Sequence, residues 1–183
     1  MALKATIFKA TLQVADMDRH YYGEHALTLA RHPSETDERM MVRVLAFALF
    51  ASDTLQFGRG LSTDDEADLR EEDLTGHISR WIDVGLPDER DLRKACGRAT
   101  EVAVISYGRT AQTWWNQNRD RLERLANLSV LALSPETTRA LAGLARRNMQ
   151  IQCTIQDGVM WLTGDETALE IRPMILKAAS DAP

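Results

Sequence analysis

The sequence predicts an α/β fold: a single compact domain with one mixed β-sheet, flanking helices and an antiparallel hairpin at each end. Three observations carry that expectation. Between Asp73 and Arg147, short β-branched apolar runs alternate with helix-period segments, the pattern of parallel strands joined by right-handed crossovers. Each end of the chain carries a hairpin signal, and the stretch from Ser34 to Ala51 is so apolar that it must be a buried central helix. A chain of 183 residues, 44% of them hydrophobic, supports one sizeable core and is short for two, so one domain is expected over residues 1–183.

In chain order, Thr6, Phe8, Ala10, Leu12 and Val14 alternate with Ile7, Lys9, Thr11 and Gln13, which gives a first strand with one apolar face. A second strand, His25–Arg31, follows the turn at Asp16–His20 and stops at Pro33, which has no N–H for the ladder. Ser34 with Asp37 three residues on is a short-armed capping box and opens the central helix. The polar, acidic run from Gly58 to Glu72 reads as a solvated loop. A strand is expected over Asp73–Val84, then a helix opened by Pro87-Asp88 in which Leu92, Ala95, Cys96 and Ala99 keep one face. Val102–Tyr107 reads as a buried strand, Thr110–Leu125 as a helix and Ser129–Leu133 as a strand. Ser134-Pro135-Glu136 caps a last helix that runs to about Arg147. Gln150–Gln156 and Val159–Leu162 flank Asp157-Gly158, a pair suited to the positive φ angles of a tight primed turn.

Charge and composition exclude several functions. The net charge of −5 and the lack of a Lys/Arg tail argue against strong non-specific binding to nucleic acid, so a polyanion would need a local patch or a metal. No stretch approaches the ~20 apolar residues of a membrane span, and the N-terminal residues lack a signal-peptide pattern, so a cytoplasmic protein is expected. Cys96 and Cys153 lack metal or redox spacing and read as small buried thiols. The four histidines show no HxxxH spacing, and no phosphate loop or nucleophile elbow occurs. Trp114-Trp115 could stack bases, but adjacent helix positions face different ways and at least one reads as core.

The candidate site lies in Asp73-Leu-Thr-Gly-His-Ile-Ser-Arg-Trp-Ile-Asp83-Val-Gly85. Asp83 sits within the apolar run Trp81–Val84, where a carboxylate must find a partner or a cation. Glu38 heads the helical stripe Val42, Leu45 and Leu49, and with Asp73 it makes a third inward acid, a set that suits Mg²⁺ or Mn²⁺. Simpler readings stand beside each: a helix-dipole acid for Glu38, a loop acid for Asp73, and an ion pair with Arg80 or Arg98 for Asp83. Only four of the 22 basic residues are lysines, and Lys94 is alone in mid-chain, which suits a water-activating cation. It also lies about 200° around its helix from Leu92, away from the apolar stripe, so the competing reading is a solvated lysine.

The stretches His32-Pro-Ser-Glu-Thr-Asp-Glu-Arg-Met-Met, Trp81-Ile-Asp-Val-Gly-Leu-Pro-Asp-Glu-Arg, Arg93-Lys-Ala-Cys and Ile155-Gln-Asp-Gly-Val-Met-Trp-Leu resemble the bacterial YaeQ family over essentially the whole chain. The resemblance implies a compact variation of the PD-(D/E)XK, restriction-endonuclease-like core. Carried over, Asp73 stands at the first acid, Asp83 at the second and Glu38 at the helix glutamate, together holding Mg²⁺ or Mn²⁺ for hydrolysis of nucleic acid. The motif lysine two residues after the second acid is Gly85 here, so either Lys94 reaches in from the next helix as the catalytic cation or the site has lost its usual water-activating group. The alternative is a non-catalytic module on the same scaffold that binds nucleic acid or protein.

Overall fold

The structure is a computed structural model that describes residues 4–59 and 65–180. Its elements run β1 (Thr6–Asp16), β2 (Tyr21–Arg31), α1 (Asp37–Leu49), β3 (Leu55–Phe57), β4 (Leu69–Glu72), β5 (Ile78–Val84), α2 (Glu89–Arg98), β6 (Ala99–Ser106), α3 (Ala111–Leu122), β7 (Leu128–Ala132), α4 (Pro135–Ala142), β8 (Asn148–Gln156), β9 (Val159–Gly164), β10 (Thr167–Ile171) and β11 (Met174–Lys177).

Among the described residues these strands form two sheets rather than the single one expected. One is ordered β10-β9-β8-β1-β2, the other β11-β7-β6-β5-β4-β3. The reason lies in α1, whose residues Met40 to Ala48 are all buried. A helix apolar on every side needs a cover on every side, and one sheet can supply only one. The core accordingly joins Leu12, Val14 and Leu29 of the first sheet, Met41 and Leu45 of α1, and Ile82 and Ile105 of the second. A second cluster on the far face of the β5–β6–β7 sheet packs Trp81, Val104 and Val130 against Leu92 of α2 and Trp115 of α3.

The predicted crossovers are present: β5 pairs parallel with β6 and β6 with β7, with Asp83 opposite Val104. Both terminal hairpins form as well, Leu12 opposite His25 in one and Ile155 opposite Met160 in the other. Asp157 and Gly158 both take positive φ, 54° and 74°, as a primed turn demands. The starts of α1, α2 and α4 are capped by side chains. Thr36 accepts from the Arg39 N–H, Asp88 from the Arg90 N–H and Ser134 from the Thr137 N–H. Ser34, the expected start of α1, instead lies two residues before that cap, its N–H on His32 Nδ1 at 3.2 Å.

One difference moves the site. The expected strand over Asp73–Val84 begins only at Ile78, because residues 73–77 form the loop of a β4–β5 hairpin. There the Asp73 N–H donates to the His77 carbonyl at 2.9 Å, and Gly76 supplies φ 83°. The last four residues of the acidic run that reads as solvated loop, Leu69–Glu72, are thus strand β4, with Leu69 fully buried in the core.

Candidate functional site

The β4–β5 register pairs Leu69 with Ile82. Carried one residue further, it places Asp68 directly opposite Asp83, on the same face. The two carboxylates interlock with backbone: the Val84 N–H donates to Asp68 Oδ2 at 2.8 Å, and the Asp68 N–H donates to the Asp83 carboxylate. The Trp81 indole N–H, two residues along the same strand face, donates to Asp83 Oδ2 at 3.0 Å. Arg39, reaching from the first turn of α1, donates to Asp68 Oδ1 at 2.6 Å.

These groups line a cleft of about 390 Å³ with Gly85 and Asp91 at its rim. Burial, with the Asp68 charge beside it, pushes the Asp83 carboxyl up to about 7, against the pull of the Trp81 and Asp68 N–H donors and of Arg39. One of two facing acids is therefore half-protonated near neutral pH.

The expected residues fall differently. Asp83 is in the cleft, partly buried, and pairs with neither Arg80 nor Arg98. Arg80 is held by Glu71 and Glu101, and Arg98 by Asp65. Asp73 is not near it. Asp83 lies six residue steps along the strand from His77, about 20 Å at the usual rise, and Asp73 Oδ1 is spent on the Thr75 hydroxyl at 2.6 Å and the N–H groups of Thr75 and His77. Those bonds, the Thr75 hydroxyl first, hold its carboxyl below the usual range. Glu38 is partly exposed in the first turn of α1 and does not line the cleft. Lys94 is half-exposed, with Nζ 3.6 Å from Asp91 Oδ1, outside the cleft wall. The convergence of Glu38, Asp73 and Asp83 on one ion is therefore corrected to an Asp68–Asp83 pair. Among the described residues no group of three or more His, Cys, Asp or Glu is arranged to hold a metal.

Gly85, in the place of the motif lysine, has φ 105° and its N–H on the Ile105 carbonyl at 2.9 Å. A Cβ there would meet nothing within 4 Å, so backbone conformation rather than crowding disfavours a side chain. Trp115 is core, and Trp114 packs partly buried against the same cluster with its indole N–H on the Pro87 carbonyl at 2.9 Å. Burial raises Cys96 to about 11 and Cys153 to about 12.

What the sequence reading missed is the row Glu35, Arg39, Arg43, spaced i, i+4, i+8 along the entry to α1. Arg43 forks onto Glu35 through Nε and Nη2, both at 2.8 Å, and Glu35 Oε1 also accepts from Arg39 Nη1 at 3.0 Å. The signal was present, since two arginines four apart in a helix apolar on all sides require a buried acid.

The family profile for YaeQ protein matches residues 1–173. The chain belongs to the YaeQ family. It is 52% identical over 174 residues to the uncharacterized protein YaeQ of Escherichia coli (strain K12), covering 93% of this chain and 95% of that one. To the Salmonella typhi YaeQ it is 50% identical over 175 residues, covering 94% and 96%. The crystal structure of YaeQ from Xanthomonas axonopodis pv. citri matches with a TM-score of 0.92 at 51% identity, over 95% of this chain and 99% of that one. YaeQ from Pseudomonas syringae matches with a TM-score of 0.91 at 33% identity, over 95% and 97%. The two-sheet arrangement around α1 is therefore the fold of solved YaeQ structures. No helix among the described residues is long and apolar enough to cross a membrane.

Proposed function

We propose that this YaeQ chain is a metal-dependent phosphodiesterase acting on nucleic acid, with Asp68 and Asp83 as the ligands of one Mg²⁺ or Mn²⁺ ion. The observation that carries the reading is the facing of these two carboxylates in an open cleft, with Asp83 raised to about 7. Repulsion that a proton relieves is also relieved by a cation, and Mg²⁺ is commonly held by one or two carboxylates plus water and substrate phosphate. The donor set thus fits a substrate-completed site. Bound there, the ion would polarise a phosphodiester oxygen and acidify a water.

The residues of the chain do the rest. Val84 N–H and Arg39 fix the Asp68 carboxylate, Trp81 fixes that of Asp83, and Gly85 leaves the cleft mouth open beside them. The β4–β7 strands with α1 then correspond to the restriction-endonuclease-like core, with Asp68 in the role first expected of Asp73. The test is cleavage of labelled single- and double-stranded DNA and RNA with 5 mM-scale Mn²⁺, at an order of magnitude that saturates weak Mg²⁺-type sites. Metal-dependent cleavage by the wild type and none by Asp83→Asn is the expected result.

A second reading, a non-catalytic module on the same scaffold for nucleic acid or a protein partner, is favoured by one observation. No lysine enters the cleft among the described residues: Gly85 replaces one and Lys94 is turned to Asp91. Cation binding without cleavage of any of the four substrates selects that reading.

A further inference from the structure

We infer that Glu35 and Arg43 are positioning residues whose buried ion pair holds the Arg39 guanidinium against Asp68 and so fixes the carboxylate pair of the cleft. This rests on the cation-binding reading of that cleft. Packing alone does not ask for the pair. The side chains of Arg43 and Glu35 are 1% and 4% exposed, in the midst of Met40, Met41, Val42 and Val44, which are fully buried. A buried ion pair is commonly replaced by apolar residues of like volume without loss of stability, so its presence calls for another reason.

The geometry supplies one. Glu35 Oε1 is shared between Arg43 Nε at 2.8 Å and Arg39 Nη1 at 3.0 Å. Arg39 then spans from Glu35 to Asp68 Oδ1 at 2.6 Å, with its two ends fixed on opposite carboxylates. The row alternates in sign, Arg43, Glu35, Arg39, Asp68, and ends beside Asp83. Remove Glu35 and two guanidiniums face each other one helical turn apart, so Arg39 turns away and Asp68 loses the donor on Oδ1. Asp68 would then hold its plane by the Val84 N–H alone, and the two carboxylates would no longer present a fixed bite to an ion.

The experiment replaces the pair with apolar side chains, Glu35→Met with Arg43→Met, in the full chain. Three readings are taken: melting temperature, solvent exchange of the Arg39 guanidinium Nη1 and Nη2 protons by nitrogen-15 NMR, and Mn²⁺ affinity by electron paramagnetic resonance. The wild type should show a slowly exchanging Arg39 signal. The double variant should melt no lower, lose that protection and bind Mn²⁺ about tenfold more weakly, the scale of outer-sphere effects on metal ligands. Arg43→Lys, which keeps the charge but not the fork, should fall between. Should the double variant not fold, Glu35→Gln keeps the shape but takes the charge from between the two guanidiniums, and Arg39 protection must then fall below that of the wild type. Protection and affinity both unchanged would overturn the inference and leave the pair structural. A wild type that binds no Mn²⁺ defeats the cation reading instead, while the Arg39 signal still decides the positioning claim.

Discussion

Asp68, the residue just before β4, faces Asp83 of β5, and each carboxylate accepts a backbone N–H from across the gap: Asp68 from Val84 and Asp83 from Asp68. Like charges in directly opposed positions weaken a sheet, and a partly buried carboxylate is costly by itself. The interlocking N–H donors and Arg39 offset that cost on Asp68 more than on Asp83. The asymmetry sets the chemistry of the cleft, since a guanidinium lies against Asp68 while burial pushes the neighbouring Asp83 carboxyl up.

That asymmetry predicts a stability that declines with pH. Burial raises Asp83 from an ordinary carboxylate value near 4 to about 7 in the folded chain, so between those values the native state holds a proton that the unfolded state has lost. The contribution is complete below about pH 4 and is lost as pH rises through 7. Urea melts from pH 5 to pH 8 should show that fall in the wild type, and Asp83→Asn should flatten it, gaining on the order of 1–3 kcal/mol at pH 8 after solvent screening is allowed for. A variant that is less stable at pH 8 than the wild type would show that the ionised carboxylate is a structural asset.

Arg39 should be the costliest cleft residue to remove. Arg39→Ala takes the donor from Asp68 Oδ1 and leaves Glu35 with Arg43 alone, a loss of roughly 2–4 kcal/mol for partly buried charged hydrogen bonds. Chemical denaturation at pH 7 measures it directly, and a change under about 0.5 kcal/mol, the range of an ordinary surface substitution, is incompatible with the network described.

How much of this the sequence carried depended on whether a signal was local. The hairpins, the crossovers and the buried central helix follow from periodicity and from turn residues such as Asp157-Gly158, and they appear within a few residues of expectation. Asp83 was legible because a carboxylate inside Trp81–Val84 has no local excuse. Asp68 was not, because it lies in an acidic run that reads as solvent-exposed. Only the strand register, a long-range property, turns it toward Asp83. Asp73 misled for the converse reason, since an Asx-type loop and a strand-end acid look alike until the ladder is known. Two sheets in place of one follow from covering both sides of α1, which no single segment encodes.

Asp73 and Lys94 give the matching negative controls. Asp73→Ala should lower the melting temperature slightly by freeing the Thr75 and His77 N–H groups of the hairpin loop, with the effect fading in acid as the depressed carboxyl titrates. Lys94→Ala should stay within about 0.5 kcal/mol of the wild type. Neither should change Mn²⁺ affinity in a binding titration, and a loss with either would restore the residue to the site.

The packing of α1 is tested apart from the cleft. Met41 is fully buried in the core that joins α1 to both sheets, so Met41→Ala should cost about 2–5 kcal/mol. A cost below 1 kcal/mol, seen in equilibrium unfolding, would mean that the helix is not enclosed as described.

The most direct test of the cleft is Mn²⁺ titration of the folded wild type, Asp68→Asn and Asp83→Asn at pH 8, followed by electron paramagnetic resonance with and without a phosphodiester analogue. One ion per chain in the wild type, tightened by the analogue and lost in both variants, is the predicted result. No binding by the wild type at millimolar Mn²⁺, or binding that survives both substitutions, would contradict the assignment of Asp68 and Asp83 as its ligands.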